Sequence, residues 1–511
     1  MRRTLTVSVS VLLAAIATAT PAFAQEADAG APTIAPSADA AAPAITPANA
    51  LDNRTLTQPK VEDLKKDEPK KDELPSGRFE FGAYGRVRIA SDLRGGTGRT
   101  ANIVAYGTRI DEDSYAEIEL RREDTWKKDI RTRVVTTLAF FPQFFHFTGN
   151  ATQQIAMRNL YVQGTYGPAT LWVGSRMYRG DDIYLLNWWP LDNQNTVGGG
   201  AGLKLPKDTM VAFHMGMQRL DNAYQTQVIQ AVAPSGFGVV DVLKVDRPRI
   251  IETLKLTHFL RNSDGRQVFQ NNDKMGLKFI VYGEAHQLAA GTQKDPLTGK
   301  DRALPEDSGW LVGAQIGYWT GERDSFAHLF FRHARGIAVY DPLAVPQTFA
   351  NDRTVSGASE TLVALAGNYE TGILGVQWGG YLRFFRDGSD APLSKDKFDE
   401  GSLVLRPNFF IGEHFGVAVE GSYQMRRYAL SDANGEGVKQ GGLTRFAVMP
   451  FFSPTGRGSF KRPQLRMLYV ITARDGGARS LYAPEDVFSQ RKVEHFLGLS
   501  AEWWFNSSSY P

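Results

Sequence analysis

Between residues 79 and 89 the chain alternates strictly. Phe79, Phe81, Ala83, Gly85, Val87 and Ile89 fall on one set of positions, and Glu80, Gly82, Tyr84, Arg86 and Arg88 on the other. Successive side chains of a β-strand point to opposite faces, so the spacing predicts a strand that divides hydrocarbon from water. The pattern returns where Ser114, Ala116, Ile118 and Leu120 oppose Tyr115, Glu117 and Glu119. Near the end Leu497, Leu499, Ala501, Trp503 and Phe505 oppose Glu494, Phe496, Gly498, Ser500, Glu502 and Trp504. Arg462, Gln464 and Arg466 against Pro463, Leu465, Met467 and Tyr469 make a further strand with a basic inner face. Tyr84, Tyr115 and Trp504 are thus rings on a polar wall. A water-filled lumen has use for wall charges, but rings there point to contact with cargo.

The alternation fails over residues 176–203, which carry Arg176, Tyr178, Arg179, Asp181, Asp182, Tyr184, Trp188 and Trp189 before a run of glycines. So many rings and charges predict a loop folded into the lumen, with glycines 198–200 as a turn. Residues 157–166 and 169–174 do not separate into two faces, which fits either a subunit contact, where the lipid rule relaxes, or a plain loss of signal.

The first 24 residues carry Arg2 and Arg3, an apolar run over 7–19, and Ala22-Phe23-Ala24 before Gln25, the pattern of a cleaved secretory signal. Residues 25–76 are first rich in Ala and Pro and then mix lysines with acids; they read as a disordered linker. As a random coil the linker spans roughly 40 Å, enough to reach into the periplasm. Residues 77–505 show no break in composition and are read as one barrel domain, with 506–511 a short tail. That length holds roughly 16 to 20 strands of about 9 to 11 residues with their connections.

Past the signal no stretch reaches the roughly 18 apolar residues of a membrane helix, and the mean hydropathy is -0.29, which leaves a soluble exported protein or a β-barrel. The net charge of +3 gives no reason to expect nucleic acid or a polyanion, so charge has to be read locally. Without cysteine there is no disulfide, thiol nucleophile or thiolate metal site. The eight histidines form no H-E-x-x-H, and no G-x-S-x-G links a strand to a helix, so neither an enzyme nor a cofactor is expected. Glu117 and Glu119 stand roughly 6 to 7 Å apart along a strand face, a spacing compatible with glycoside hydrolysis, but a polar lumen holds carboxylates throughout.

Six patches run in register. They are Phe79-x-x-x-x-Tyr84-x-Arg86, Ser114-Tyr115-Ala116-Glu117-x-x-Leu120, Arg158 with Val162-Gln163-Gly164, Trp172-x-Gly174-x-Arg176-x-Tyr178 running on to Asp182, Phe460-x-Arg462-Pro463-x-x-Arg466, and Gly498-x-x-x-Glu502-x-Trp504-Phe505. At these residues the chain resembles the maltoporin family of sugar-specific outer-membrane porins. The resemblance implies an all-β fold, a transmembrane antiparallel β-barrel of 18 strands with an inward-folded third loop, assembled as a homotrimer. It places Tyr84, Tyr115 and Trp504 on a track of rings along which sugar faces slide, and Trp189 where a ring pinches the channel. Arg86, Glu117, Arg158 and Asp182 fall on the flanking polar ladder, and Asn187 stands where an acid is usual. The family's first-loop disulfide cannot exist here. The ring expected near residues 402–407 is missing, with Phe398 the nearest. Phe330 qualifies as a mid-chain track member by parity with His328 and Arg332, and the ring lent by a neighbouring subunit could be Phe140, Phe141, Phe144, Phe145 or Phe147.

Each assignment has a plainer alternative. Tyr84, Tyr115 and Trp504 could pack against loops; Arg86, Arg88, Glu117 and Glu119 could simply set ion preference; an Arg158 to Asp182 salt bridge could anchor the inward loop. Trp126, Trp188, Trp503 and Phe505 read as girdle or packing residues. The expected function is a passive sugar-selective porin for maltodextrin-like oligosaccharides in the outer membrane of a Gram-negative bacterium. Its expected partners are the sugar, outer-membrane lipid and its own copies, with a periplasmic or peptidoglycan contact through residues 25–76. The alternative is a general diffusion or organic-acid-selective porin, which a basic ladder not interleaved with rings would favour. A plugged structural barrel is a third class.

Overall fold

A computed structural model describes residues 76–506 apart from 127–129, 142–153, 219–225, 234, 246, 261–275, 295–297, 321–324, 341–343, 347, 391–396 and 430–437. The signal, the linker through residue 75, the tail from 507, and Phe144, Phe145 and Phe147 lie outside the described residues, as does the side chain of Phe141.

The first half of the barrel is β1 (Ser76–Ser91), β2 (Tyr115–Thr125), β3 (Ile130–Phe141), β4 (Gln154–Tyr166), β5 (Ala169–Met177), β6 (Asn195–Leu205), β7 (Thr209–Gln218), β8 (Arg249–Phe259) and β9 (Gly276–Leu288). The second half is β10 (Asp307–Trp319), β11 (Phe326–Gly336), β12 (Ser359–Glu370), β13 (Leu374–Arg386), β14 (Phe398–Ile411), β15 (Phe415–Ala429), β16 (Val438–Phe452), β17 (Gln464–Arg474) and β18 (Val493–Phe505). Each strand pairs antiparallel with the next, and β18 returns to β1 with Tyr84 opposite Trp504 and Arg86 opposite Glu502. The sheet is closed, so every wall strand finds its hydrogen-bond partners without water, which the hydrocarbon layer demands. Residue 76 and Phe505 share an end with short turns such as 167–168, 206–208 and 371–373; long connections such as 92–114, 178–194 and 337–358 crowd the other end. That asymmetry marks the first end as periplasmic.

The faces follow the alternation. Phe79 is 63% and Ile89 73% exposed on the outer wall of an isolated barrel, the surface that meets lipid, whereas Tyr84 between them is 0% exposed. On β17 Leu465 and Met467 point out while Gln464 points in, beside Arg462 just before the strand. Phe81 and Phe505 meet at 5.7 Å on the outer face near the periplasmic end, and Trp126 is also exposed there, as expected of an aromatic girdle.

Two expectations are corrected. The missing alternation in β4 is not lost signal but a β-bulge: Thr137 of β3 faces Asn159, Leu138 faces Met157, and Arg158 is the extra residue. Before the bulge Ile155 and Met157 are exposed, and after it Leu160, Val162 and Tyr166, so parity flips at one point. The glycine run 198–200 is not a turn either, because it lies inside β6 and pairs with β5 and β7. Its side-chain-free positions make room for a neighbour: a Cβ at Gly200 would strike the Trp172 ring.

Within the cylinder the third long connection, residues 178–194, folds inward and contains a short 3-10 turn, Tyr184–Leu186. With Ile103 and Val104 of the first connection and Ile337, Val339 and Val355 of the sixth, its Ile183, Leu185 and Trp188 form one apolar core on the extracellular side of the lumen. The wall has sockets for the loop. A Cβ at Gly379 on β13 would strike Ile183, and one at Gly313 on β10 would strike Leu191.

Candidate solute-binding cavity

The inward loop leaves a cavity of about 980 Å³ whose lining runs from the loop to the periplasmic turns at Gly167, Pro168 and Lys461. Strand alternation brings Trp172, Trp319 and Trp504 to this space, the turn before β17 adds Phe460, and the loop adds Tyr178, Tyr184 and Trp189. Tyr184 stands 5.3 Å from Phe460 and 6.1 Å from Trp504 between ring centres, and Phe460 is 6.1 Å from Phe326, so four rings adjoin across the barrel seam and the loop.

Glu502 organises the charges beside them. Its carboxylate accepts from Arg109 at 2.8 Å, from Arg462 at 2.8 Å and from Arg466. The Tyr184 hydroxyl donates to it at 2.8 Å. The Tyr84 hydroxyl accepts from Arg109 at 2.8 Å and from Arg86 at 2.9 Å. Three guanidiniums on one acid, with Glu112 taking Arg109 at 3.0 Å and Arg86 at 3.4 Å, leave this side of the lumen net positive. The cluster also clamps the loop, since Arg109 donates its backbone N–H to the Leu185 carbonyl at 3.1 Å and Asn187 reaches Glu112 at 2.8 Å.

The loop is pinned on the opposite wall by Lys278 of β9 on Asp181 and Lys255 of β8 on Asp192, both at 2.6 Å. Burial works against ionised Asp181, but Lys278 and His328 outweigh it and hold the carboxyl well below its usual range. Asp182, which forms no ion pair among the described residues, behaves oppositely. Burial, opposed by Arg109 and aided by Asp181, pushes its carboxyl up to about 7. Further down this wall Arg176 lies 4.7 Å over Trp172, 4.9 Å over Tyr161 and 5.2 Å over Tyr178.

Of the nine residues predicted from sequence, Tyr84, Trp504, Trp189 and Asp182 line the cavity. The other five lie outside its lining. Tyr115 packs 6.0 Å from Tyr84 and bonds to Glu117, which pairs with Arg158 at 2.6 Å. Arg86 sits on Tyr84 and Glu112, and Asn187 caps the short loop turn with φ of 48°. Loop anchoring falls to Asp181 and Asp192 rather than to an Arg158 to Asp182 bridge. Phe330 faces inward as its parity required but is buried in the loop-side core. Phe398, nearest to the missing track position, also faces inward and stacks on Phe385 at 4.8 Å. Trp188 packs as expected, stacked on Tyr106 at 3.9 Å. Sequence reasoning named Tyr178, Tyr184, Trp172 and Phe460 without giving them a site; the available signal was their place in the loop and in the register patches.

The family model for LamB porin matches residues 79–505. No curated protein matches the chain. Solved structures that it resembles include OmpT of Vibrio cholerae, in vitro folded and in its trimer form, at 10% identity and TM-score 0.39 over 84% of this chain and 99% of that one. OccAB4 of Acinetobacter baumannii matches at 9% identity and TM-score 0.39 over 85% and 99%. OccK1 (OpdK) of Pseudomonas aeruginosa matches at 10% identity and TM-score 0.36 over 84% and 98%.

Proposed function

The chain belongs to the LamB porin family and is a porin of the Gram-negative outer membrane, and from that premise we propose that it conducts carbohydrates by facilitated diffusion. The observation that carries the reading is the set of adjoining rings, Tyr184, Phe460 and Trp504, with Trp189 of the inward loop lining the same cavity, bordered by charged groups. A pyranose has C–H bonds on its faces and hydroxyls on its rim, so rings suit the faces while arginines and carboxylates suit the rim. If each ring contributes about 1 kcal/mol beyond area burial, four rings give roughly millimolar affinity. That is strong enough to guide and weak enough to release, which a channel with several sites in series requires. Trp189 on the inward loop is assigned the pinch, and Tyr115, Glu117 and Arg158 act behind the track as its support.

The channel is assigned a homotrimeric assembly, with residues 25–76 reaching toward periplasmic or peptidoglycan partners; cross-linked mass in detergent and co-sedimentation with peptidoglycan test these two assignments. For conduction, the protein is reconstituted in planar bilayers and maltotriose is titrated against current. Concentration-dependent block in the millimolar range is expected, and no block by any saccharide at tens of millimolar would sink the sugar reading. The acid-selective alternative draws on the cationic surplus of the cavity, but the rings set among those cations weigh against it in its simple form.

A further inference from the structure

The cavity is lined, among the described residues, by eight cationic side chains and three acidic ones. Two of the acids, Asp181 and Asp192, are already committed to Lys278 and Lys255. The cations are not set apart from the rings. Arg462 lies 4.3 Å over Trp504, Arg109 4.5 Å over Tyr184, Arg179 4.7 Å over Trp189, and Arg176 4.7 Å over Trp172. Each of these four rings therefore has a guanidinium on one face. A stacked guanidinium keeps its N–H edge in plane, where it can take a carboxylate with two parallel hydrogen bonds. Arg109 and Arg462 spend that edge on Glu502, whereas Arg176 forms no ion pair among the described residues, and neither do the exposed Lys204 and Lys461 at the periplasmic end of the cavity.

A neutral glucan would gain from the rings and leave Arg176, Lys204 and Lys461 without a carboxylate. A plain organic acid would use the charge and leave the rings unused. We infer that the cavity is built for saccharides that carry a carboxylate on the ring, the uronic-acid class. The sugar face lies against the aromatic wall, and the carboxylate accepts from the Arg176 edge and then from the lysines as the solute moves toward the periplasm. The assignment rests on the carbohydrate reading above and narrows its substrate.

The test is current block of the full-length protein in planar bilayers by trigalacturonate, maltotriose and succinate. Two charge-assisted hydrogen bonds predict half-block by trigalacturonate at a concentration about tenfold lower than for maltotriose, with succinate far weaker than either. In Arg176→Met, which keeps an apolar stem among the rings, the ratio of the two half-block concentrations should fall about fivefold. The wild type supplies an independent check. Raising KCl from about 0.1 M to about 1 M shortens the screening length from about 10 Å to about 3 Å and must shrink the same ratio. Equal block by trigalacturonate and maltotriose overturns the uronate assignment and leaves the carbohydrate porin standing. Succinate as potent as trigalacturonate overturns it in favour of simple anion binding, and a salt-independent ratio also overturns it. Block by neither saccharide removes the carbohydrate reading and this one with it.

Discussion

The two halves of the lumen are built from the same side-chain types and do different things with them. On the extracellular side Tyr106, Trp188, Phe330 and Tyr381 are core residues, covered by loop segments carrying Ile103, Ile183, Leu185 and Ile337. On the periplasmic side Phe460 and Trp504 are only partly covered and border open space, with Tyr184, the last buried ring of the core, beside them. An inward ring is therefore not by itself a binding element. What separates packing from track is whether a folded connection lies on top of it, and here the 178–194 loop draws the boundary.

Breaking the boundary should have the largest effect. Trp188→Ala removes the ring stacked on Tyr106 at 3.9 Å and should cost about 3 to 5 kcal/mol of loop packing. The loop would then leave the wall, raising single-channel conductance and abolishing discrimination among solutes; unchanged conductance would show that the loop does not set the constriction. Trp504→Ala, on the open side, should spare conductance but weaken maltotriose block about fivefold, the worth of roughly 1 kcal/mol of ring contact. If the two variants behaved alike, the distinction between halves would fail.

The smallest effect belongs to Asp182, at the boundary and faced by Arg109, Asp181 and Glu502. With a carboxyl near 7 it is neutral below that pH and charged above it. Lowering pH from 8 to 6 should therefore remove one negative charge from the lumen and raise the anion-to-cation permeability ratio by less than about twofold, read from reversal potentials in a KCl gradient. Asp182→Asn should flatten that dependence.

The barrel wall was legible wherever one face meets lipid, because β1, β17 and β18 repeat every second residue without interruption. β4 was not, since a single inserted residue at Arg158 exchanges the two faces and cancels the average over the strand. The glycines of β6 imitate a turn in sequence, yet serve as clearance for Trp172. The site was legible in part: Tyr84, Trp504, Trp189 and Asp182 reach the cavity, while Tyr115 does not. Inward direction follows from parity, but cover does not, being decided by a loop whose own conformation has no period. For the same reason Tyr178 and Tyr184 could be named within an inward loop but not assigned contacts.

Tyr84 and Trp504 are neighbours only because the first strand hydrogen-bonds to the last, and Glu502 joins Arg109 across the same seam. The transport surface thus does not exist until the last strand has closed on the first. Loss of residues 500–505 would remove closure of the wall and the central carboxylate in a single stroke, so a cylinder that seals is by the same act a working conduit.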